Sequence, residues 1–200
     1  MLQSEASPLA YREHVGREIE DVIDDLARLR IEVFRDWPYL YEGDLAYERR
    51  YLSDYAKGDS IVVSAFAGDR MVGAATGMPL IDHADDFRAA FEGTGIDFKD
   101  VFYCAESVLL PEFRGQGAGH AFFDRREAHA RRLGFAHVAF CGVVRPDEHP
   151  ARPDDYRPLD GFWRSRGYER LDGVVAHFPW RDIGDAEETE KPLQFWMRRL

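Results

Sequence analysis

No run of apolar residues in this chain approaches the ~20 needed to cross a bilayer, so no membrane partner is expected. The stretch Met1 to Arg12 has no apolar signal-peptide core, and a cytoplasmic protein is expected. Cysteine is nearly absent. Cys104 and Cys141 are the only two, and both lie in apolar, strand-like runs, which indicates buried thiols rather than a disulfide framework. No spacing of cysteine or histidine suits a metal ion, and none is expected. Basic residues are outnumbered, for a net charge of −11, and no basic tail is present. That argues against nucleic acid or an anionic membrane as partner, while a cationic substrate would suit the field. Repeats, low-complexity tracts and linkers are also missing. What remains is 200 residues, 45% hydrophobic and 32% charged, the profile of one globular domain over 1–200.

Along the chain, Tyr11 to Gly16 reads as an edge strand. Glu18 to Trp37 reads as an amphipathic helix, with Ile19, Val22, Ile23, Leu26, Leu29, Val33 and Phe34 at helical spacing before Pro38. Asp44 caps a second helix, Leu45 to Lys57, ended by Gly58. Ile61 to Ala67 and Met71 to Met78 form a hairpin about Gly68-Asp69-Arg70. A short helix is expected over Asp82 to Phe91. Val101 to Leu110 is a continuous apolar run with one acid, Glu106, and reads as a single strand. A helix, Ala118 to Leu133, and a buried strand, His137 to Val144, complete a β-α-β unit, which implies a parallel pair. Arg145 to Asp160 holds four prolines and is a long loop. Leu159 to Arg166 reads as a helix, Tyr168 to Pro179 and Leu193 to Arg198 as two last strands, and Asp182 to Glu190 as a solvated acidic turn. The fold class is α/β (α+β).

The most informative stretch is Arg114-Gly115-Gln116-Gly117-Ala118-Gly119, between the apolar strand and the helix. Glycines there let backbone amides approach an anion, and the helix dipole favours it. A P-loop needs Gly-Lys-Ser/Thr, but Gly119 is followed by His120 and Ala121. A dinucleotide turn needs a third glycine where His120 stands, and the next strand ends Cys141-Gly142-Val143-Val144 with no acid. The pattern Arg/Gln-x-x-Gly-x-Gly/Ala fits at every position. With the lead-in Ser107 to Phe113 and the later Phe162-Trp163-Arg164-Ser165-Arg166-Gly167-Tyr168, the chain resembles the GNAT superfamily of N-acetyltransferases over nearly its whole length.

That resemblance implies a mixed central sheet flanked by helices, with a β-α-β unit that binds acetyl-coenzyme A as cofactor. It implies direct attack by a primary amine of a small molecule, and it admits a homodimer. The cofactor positions it assigns are Leu109, Leu110, Arg114, Gly115, Gln116, Gly117, Ala118, Gly119 and Trp163. Backbone N–H groups of Leu109 and Leu110 would serve as donors of the oxyanion-hole kind. Glu106 is the candidate catalytic base, since burial favours the neutral form of a carboxyl group. The bland reading of Glu106 is a structural carboxylate paired with an arginine. The chain departs from the family twice. Tyr103 stands where members often carry their acid, and Trp163 stands where many carry a tyrosine that protonates the leaving thiolate. Indole N–H is no useful acid, so either protonation is absent or another group such as Tyr156 serves. A binding module without turnover is the alternative function. Acceptor selection is expected from Trp37 to Tyr41 and from the Arg145–Asp160 loop, whose Asp147, Glu148, Asp154 and Asp155 could meet a cation. Cys141 is expected to be inert, and His120 to face solvent.

Overall fold

The computed structural model describes residues 8–200, so the Met1–Ser7 part of the N-terminal segment lies outside the described residues. Eight strands form one sheet in the order β1-β2-β3-β4-β6-β8-β7, with β5 paired to β3 beyond β4. The edge strand β1 (Ala10–Val15) lies on β2 (Ile61–Ala67), which forms a hairpin with β3 (Arg70–Pro79). β4 (Val101–Tyr103) is antiparallel to β3 and parallel to β6 (His137–Val143). The antiparallel pair β7 (Glu169–Trp180) and β8 (Thr189–Arg199) closes the sheet through β8 on β6. A mixed α/β sheet is the architecture expected.

Period-two alternation divides the core. Val62, Val72 and Ala74 face α1 (Ile23–Phe34), with Leu26, Leu29 and Phe34 packed on them. Val63, Ala75 and Val138 face α4 (Ala118–Arg132), with Phe122, Phe123 and Ala130. α2 (Leu45–Ser53) lies on α1, and Asp44 caps it by accepting from Tyr47 N–H at 2.8 Å.

Four expectations are corrected. The first helix begins as a 3₁₀ segment, Gly16–Val22, drawn back onto β1 by the bond from Val15 N–H to Glu18. It also stops at Phe34, where Tyr41 N–H returns to the Phe34 carbonyl at 2.8 Å. The Asp82–Phe91 helix shrinks to a 3₁₀ turn and one helical turn, α3 (Ala84–Phe87), with Leu80, Phe87 and Phe91 packed into one core cluster with Val101 and Phe195. The strand β8 starts at Thr189, so part of the supposed acidic turn is ladder. Last, Val101 to Leu110 is two strands: β5 covers only Ser107–Leu109.

Candidate active site

The break in that strand makes the site. The last bond between β4 and β6 runs from Cys104 N–H to the Ala139 carbonyl, 2.8 Å. Next, Ala105 N–H donates to Thr76 O and Thr76 N–H donates to Glu106 O, both at 3.0 Å. Two residues oppose one, which is a β-bulge. Beyond it β5 pairs with β3 alone and β6 with β8 alone, so a gap opens between them. In an antiparallel ladder bonded and unbonded pairs alternate. Leu110 N–H is spent on Val72 O at 2.9 Å, so Ser107 and Leu109 present their backbone to the gap. The expectation for Leu110 is therefore corrected: its amide is committed to the sheet, and Leu109 is the free donor of the pair.

At the end of β5 the chain turns through Pro111–Phe113 into the glycine stretch. Gly115 (φ 76°) and Gly117 (φ 85°) adopt left-handed backbone, and nothing lies within 4 Å of where a Cβ would stand on either. Gly117 is the N-cap of α4, whose first turn carries no acidic side chain, and the unsatisfied N–H groups there face open space. This cradle fits a phosphate group. Gly119 serves a different purpose, since a Cβ there would meet Phe162 at 3.3 Å; it lets α5 (Asp160–Ser165) pack against α4. Gln116 is exposed and Ala118 is buried under the turn. Arg114 folds back, its Nε donating to Leu109 O at 3.2 Å. Trp163 lies over β6, 3.0 Å from the Cβ position of Gly142, and packs on Phe140 and Trp196. His120 is exposed, as expected, with its ring against Phe162.

On the opposite face the Glu106 side chain enters a polar cluster from α1 and α2. Oε1 accepts from Arg30 Nη1 and from Tyr51 OH at 3.1 Å; Oε2 accepts from Thr76 Oγ1 and from Tyr55 OH at 3.4 Å. Those are the four acceptor sites of an ionised carboxylate, all filled. Arg30 also donates from Nε to Glu48 at 2.5 Å, and Glu48 is fully buried. One guanidinium thus serves two acidic side chains, a formal surplus of one negative charge by residue count. Burial works against the Arg30 charge, yet Glu106 and Glu48 hold it well above the ordinary arginine range. Burial, and then the Glu106 charge, push the phenols of Tyr51 and Tyr55 up. Tyr103 donates to or accepts from Cys141 Sγ at 3.1 Å, and burial pushes the Cys141 thiol up to about 12, leaving it inert as expected.

The remaining wall is aromatic. Trp37 packs on His149 and Tyr156 of the long loop, at centroid distances of 5.0 and 5.8 Å. Tyr156, whose phenol is raised by burial, anchors the loop on Trp37. Arg145 donates to Pro38 O (2.8 Å) and Tyr39 O (2.7 Å) and grips Asp182 with two bonds of 2.6 and 2.9 Å. Lys191 lies 3.3 Å from the same Asp182. This corrects the reading of Asp182 as part of a solvated turn: it is buried, because two cations and the β7–β8 hairpin enclose it. Sequence patterns had not singled out Arg30, Glu48, Tyr51, Tyr55, Arg145, Asp182 or Lys191. The available signal was a charge on an apolar stripe: Leu26, Arg30 and Phe34 share one helical face.

Among the described residues there is no metal-binding cluster and no helix long and apolar enough to cross a membrane. The family model described as "Acetyltransferase (GNAT) family" matches residues 24–153. No curated protein matches the sequence significantly. Solved structures share the fold. The ribosomal-protein-alanine N-acetyltransferase of Brucella melitensis is 17% identical with a TM-score of 0.62, over 96% of this chain and 99% of that one. The putative acetyltransferase yncA of Salmonella typhimurium, solved with its cofactor acetyl-CoA, is 15% identical with a TM-score of 0.59, over 97% and 95%. The PaiA N-acetyltransferase of Thermoplasma acidophilum, in complex with coenzyme A, is 12% identical with a TM-score of 0.53, over 96% and 99%.

Proposed function

The chain belongs to the acetyltransferase (GNAT) family, and from that premise we propose that it moves the acetyl group of acetyl-coenzyme A onto the primary amine of a small molecule. The sheet running from Ala10 to Arg199 supports reading the chain as one catalytic domain. The carrying observation is the gap between β5 and β6, which has an amide-lined glycine turn at one side and a surplus negative charge at the other.

When bound, acetyl-coenzyme A supplies a thioester that an amine attacks directly, with the thiolate of coenzyme A as leaving group. Turn amides from Gly115 to Gly119 would hold its phosphates, with Gln116 and Ala118 contributing backbone and Arg114 a nearby charge. Leu109 N–H would polarise the acyl oxygen from the free edge of β5. Trp163, roofing β6, would wall the cofactor channel. Glu106, with every acceptor site filled, is assigned to charge rather than proton abstraction: with Arg30 and Glu48 it draws a cationic acceptor toward the gap, and the attacking amine reacts in its neutral form and releases its remaining proton to water. Trp37, Tyr39 and Tyr156, tied down through Arg145, narrow the acceptor side and favour a small molecule. A coenzyme A release assay over neutral, anionic and cationic amines tests the reading, with turnover expected to be highest for cationic acceptors.

A second reading, an acyl-coenzyme A-binding module without turnover, draws on the saturated Glu106 and on Trp163 in place of a phenol. Tight acetyl-coenzyme A binding with no release across the whole amine panel would establish it instead.

A further inference from the structure

Arg126 is 1% exposed, in the middle of α4 beneath the bulge. Its Nη1 donates to Thr76 O and Glu106 O, both at 3.0 Å, its Nη2 to Ser107 Oγ at 2.9 Å, and its Nε to Phe122 O at 3.3 Å. These partners are three carbonyls and a hydroxyl, with no carboxylate among them. The adjacent Glu127 is committed elsewhere, to Arg166, Arg131, Arg198 and the Tyr168 hydroxyl. A buried guanidinium without a counter-ion is costly. Holding three carbonyls and a hydroxyl does not by itself require a full charge.

Two consequences follow from where that charge lies. Arg126 grips both carbonyls that define the bulge and the side chain of Ser107, so it sets the direction in which the free amides of Ser107 and Leu109 point. It also completes a charge separation across the sheet. On the α1 and α2 face, Arg30 is outnumbered by Glu48 and Glu106; on the α4 face, Arg126 stands uncancelled. The four charges sum to zero but form a dipole across the bulge, negative toward the acceptor wall and positive toward the glycine turn's helix. Burial pushes the Cys104 thiol up while Arg126 pulls it down, so this charge already acts on one thiol beside the bulge.

We propose that Arg126 is the positioning residue of the cleft, holding the bulge open and biasing the cofactor side toward the thiolate form of a thiol bound there. This rests on the acetyltransferase reading. It answers the lack of a proton donor at Trp163: a thiolate favoured by a fixed cation needs no acid to leave. The field acts on the charge and the clamp acts on the backbone, so the two roles separate experimentally.

The test titrates the thiol of coenzyme A bound to the full chain, following ultraviolet thiolate absorbance against the same protein saturated with desulfo-coenzyme A. In the unaltered protein the bound thiol should titrate about one pH unit below free coenzyme A, as expected for a nearby opposite charge. Arg126→Met should return it to the free value. Arg126→Lys, which keeps the charge but makes fewer bonds, should keep the lowered value while binding weakens. A merely structural arginine would weaken binding in both variants and leave the saturated thiol's titration unmoved, which would overturn the proposal. Should the Met variant not fold, an unaltered protein whose bound thiol titrates at or above free coenzyme A overturns it alone. No binding of coenzyme A by the unaltered protein would overturn the acetyltransferase reading itself, and this inference with it.

Discussion

On the α4 side of the cleft, one short local segment, Gly115 to Gly119, carries backbone amides without intrachain partners, with open space beside Gly115 and Gly117. On the α1 side, Arg30, Glu48, Tyr51, Tyr55, Thr76 and Glu106 come from α1, α2, the turn after it, β3 and the bulge, and present side chains to one another. The first region depends on conformation, so only residues that alter φ damage it. The second depends on charge balance, so removing any one partner strands the others. One region can be altered without the other, which makes the contrast testable.

The largest effect should come from Arg30→Met, which leaves Glu48 and Glu106 buried without their cation. We expect a loss of about 3–5 kcal/mol in urea unfolding, and recovery of part of it in Arg30→Met/Glu48→Gln. A loss below 1 kcal/mol would mean the acids are less dependent on Arg30 than the geometry indicates. Gly117→Val comes next, and should do the reverse. A β-branched residue at φ 85° is strained and blocks amide approach, so acetyl-coenzyme A binding by calorimetry should weaken by about 3 kcal/mol, roughly a hundredfold. The far-ultraviolet dichroism should be unchanged. Binding that persists at full strength would remove the turn from the cofactor site.

Glu106→Gln probes the acceptor side alone. Amide for carboxylate removes the surplus charge and weakens charge-assisted bonds worth about 1.5–3 kcal/mol. kcat/KM for cationic amines should fall about tenfold or more, with acetyl-coenzyme A affinity unaffected. Equal losses for neutral and cationic amines would sink the electrostatic role. The smallest effect concerns Asp182. Burial raises its carboxyl group, but Arg145 and Lys191 bring it below the ordinary aspartate range. A carboxylate lowered in the folded state contributes stability that is complete above its unfolded value, about 3.9, and is lost as pH falls through the folded one. Asp182→Asn should therefore flatten the acid limb of the stability profile below about pH 4 by about 1 kcal/mol, read by denaturation at stepped pH. An unchanged limb would place the Arg145 grip outside the folding equilibrium.

The same contrast explains what could be read from the residues alone. The glycine turn was legible because its pattern is local and its elements are adjacent in sequence. Most strands and both flanking helices followed from period two and period 3.6. Glu106 stood out as a lone acid in an apolar run, but its partners did not, because pairing across 76 residues leaves no local trace. Arg30 and Arg126 were each visible as a charge on an apolar helical stripe, Leu26-Arg30-Phe34 and Phe122-Arg126-Ala130, a signal that counts of charge overlook. Asp182 hid in an acidic stretch, where burial of one acid is decided by a distant arginine. The choice between Leu109 and Leu110 depended on register against β3, which no property of either leucine encodes.

One consequence of the bulge reaches beyond the gap it opens. Above it, Phe102 and Cys104 belong to the core under α4; below it, Val108 and Leu110 belong to the core under α1, though all four hold even positions. A single extra residue inverts the phase of the alternation, so one strand is handed from one core to the other midway. Apolar side chains at nearly every position are what such a hand-over demands, which is why the run from Val101 to Leu110 shows no alternation of its own. The cleft is the seam where the two cores exchange that strand.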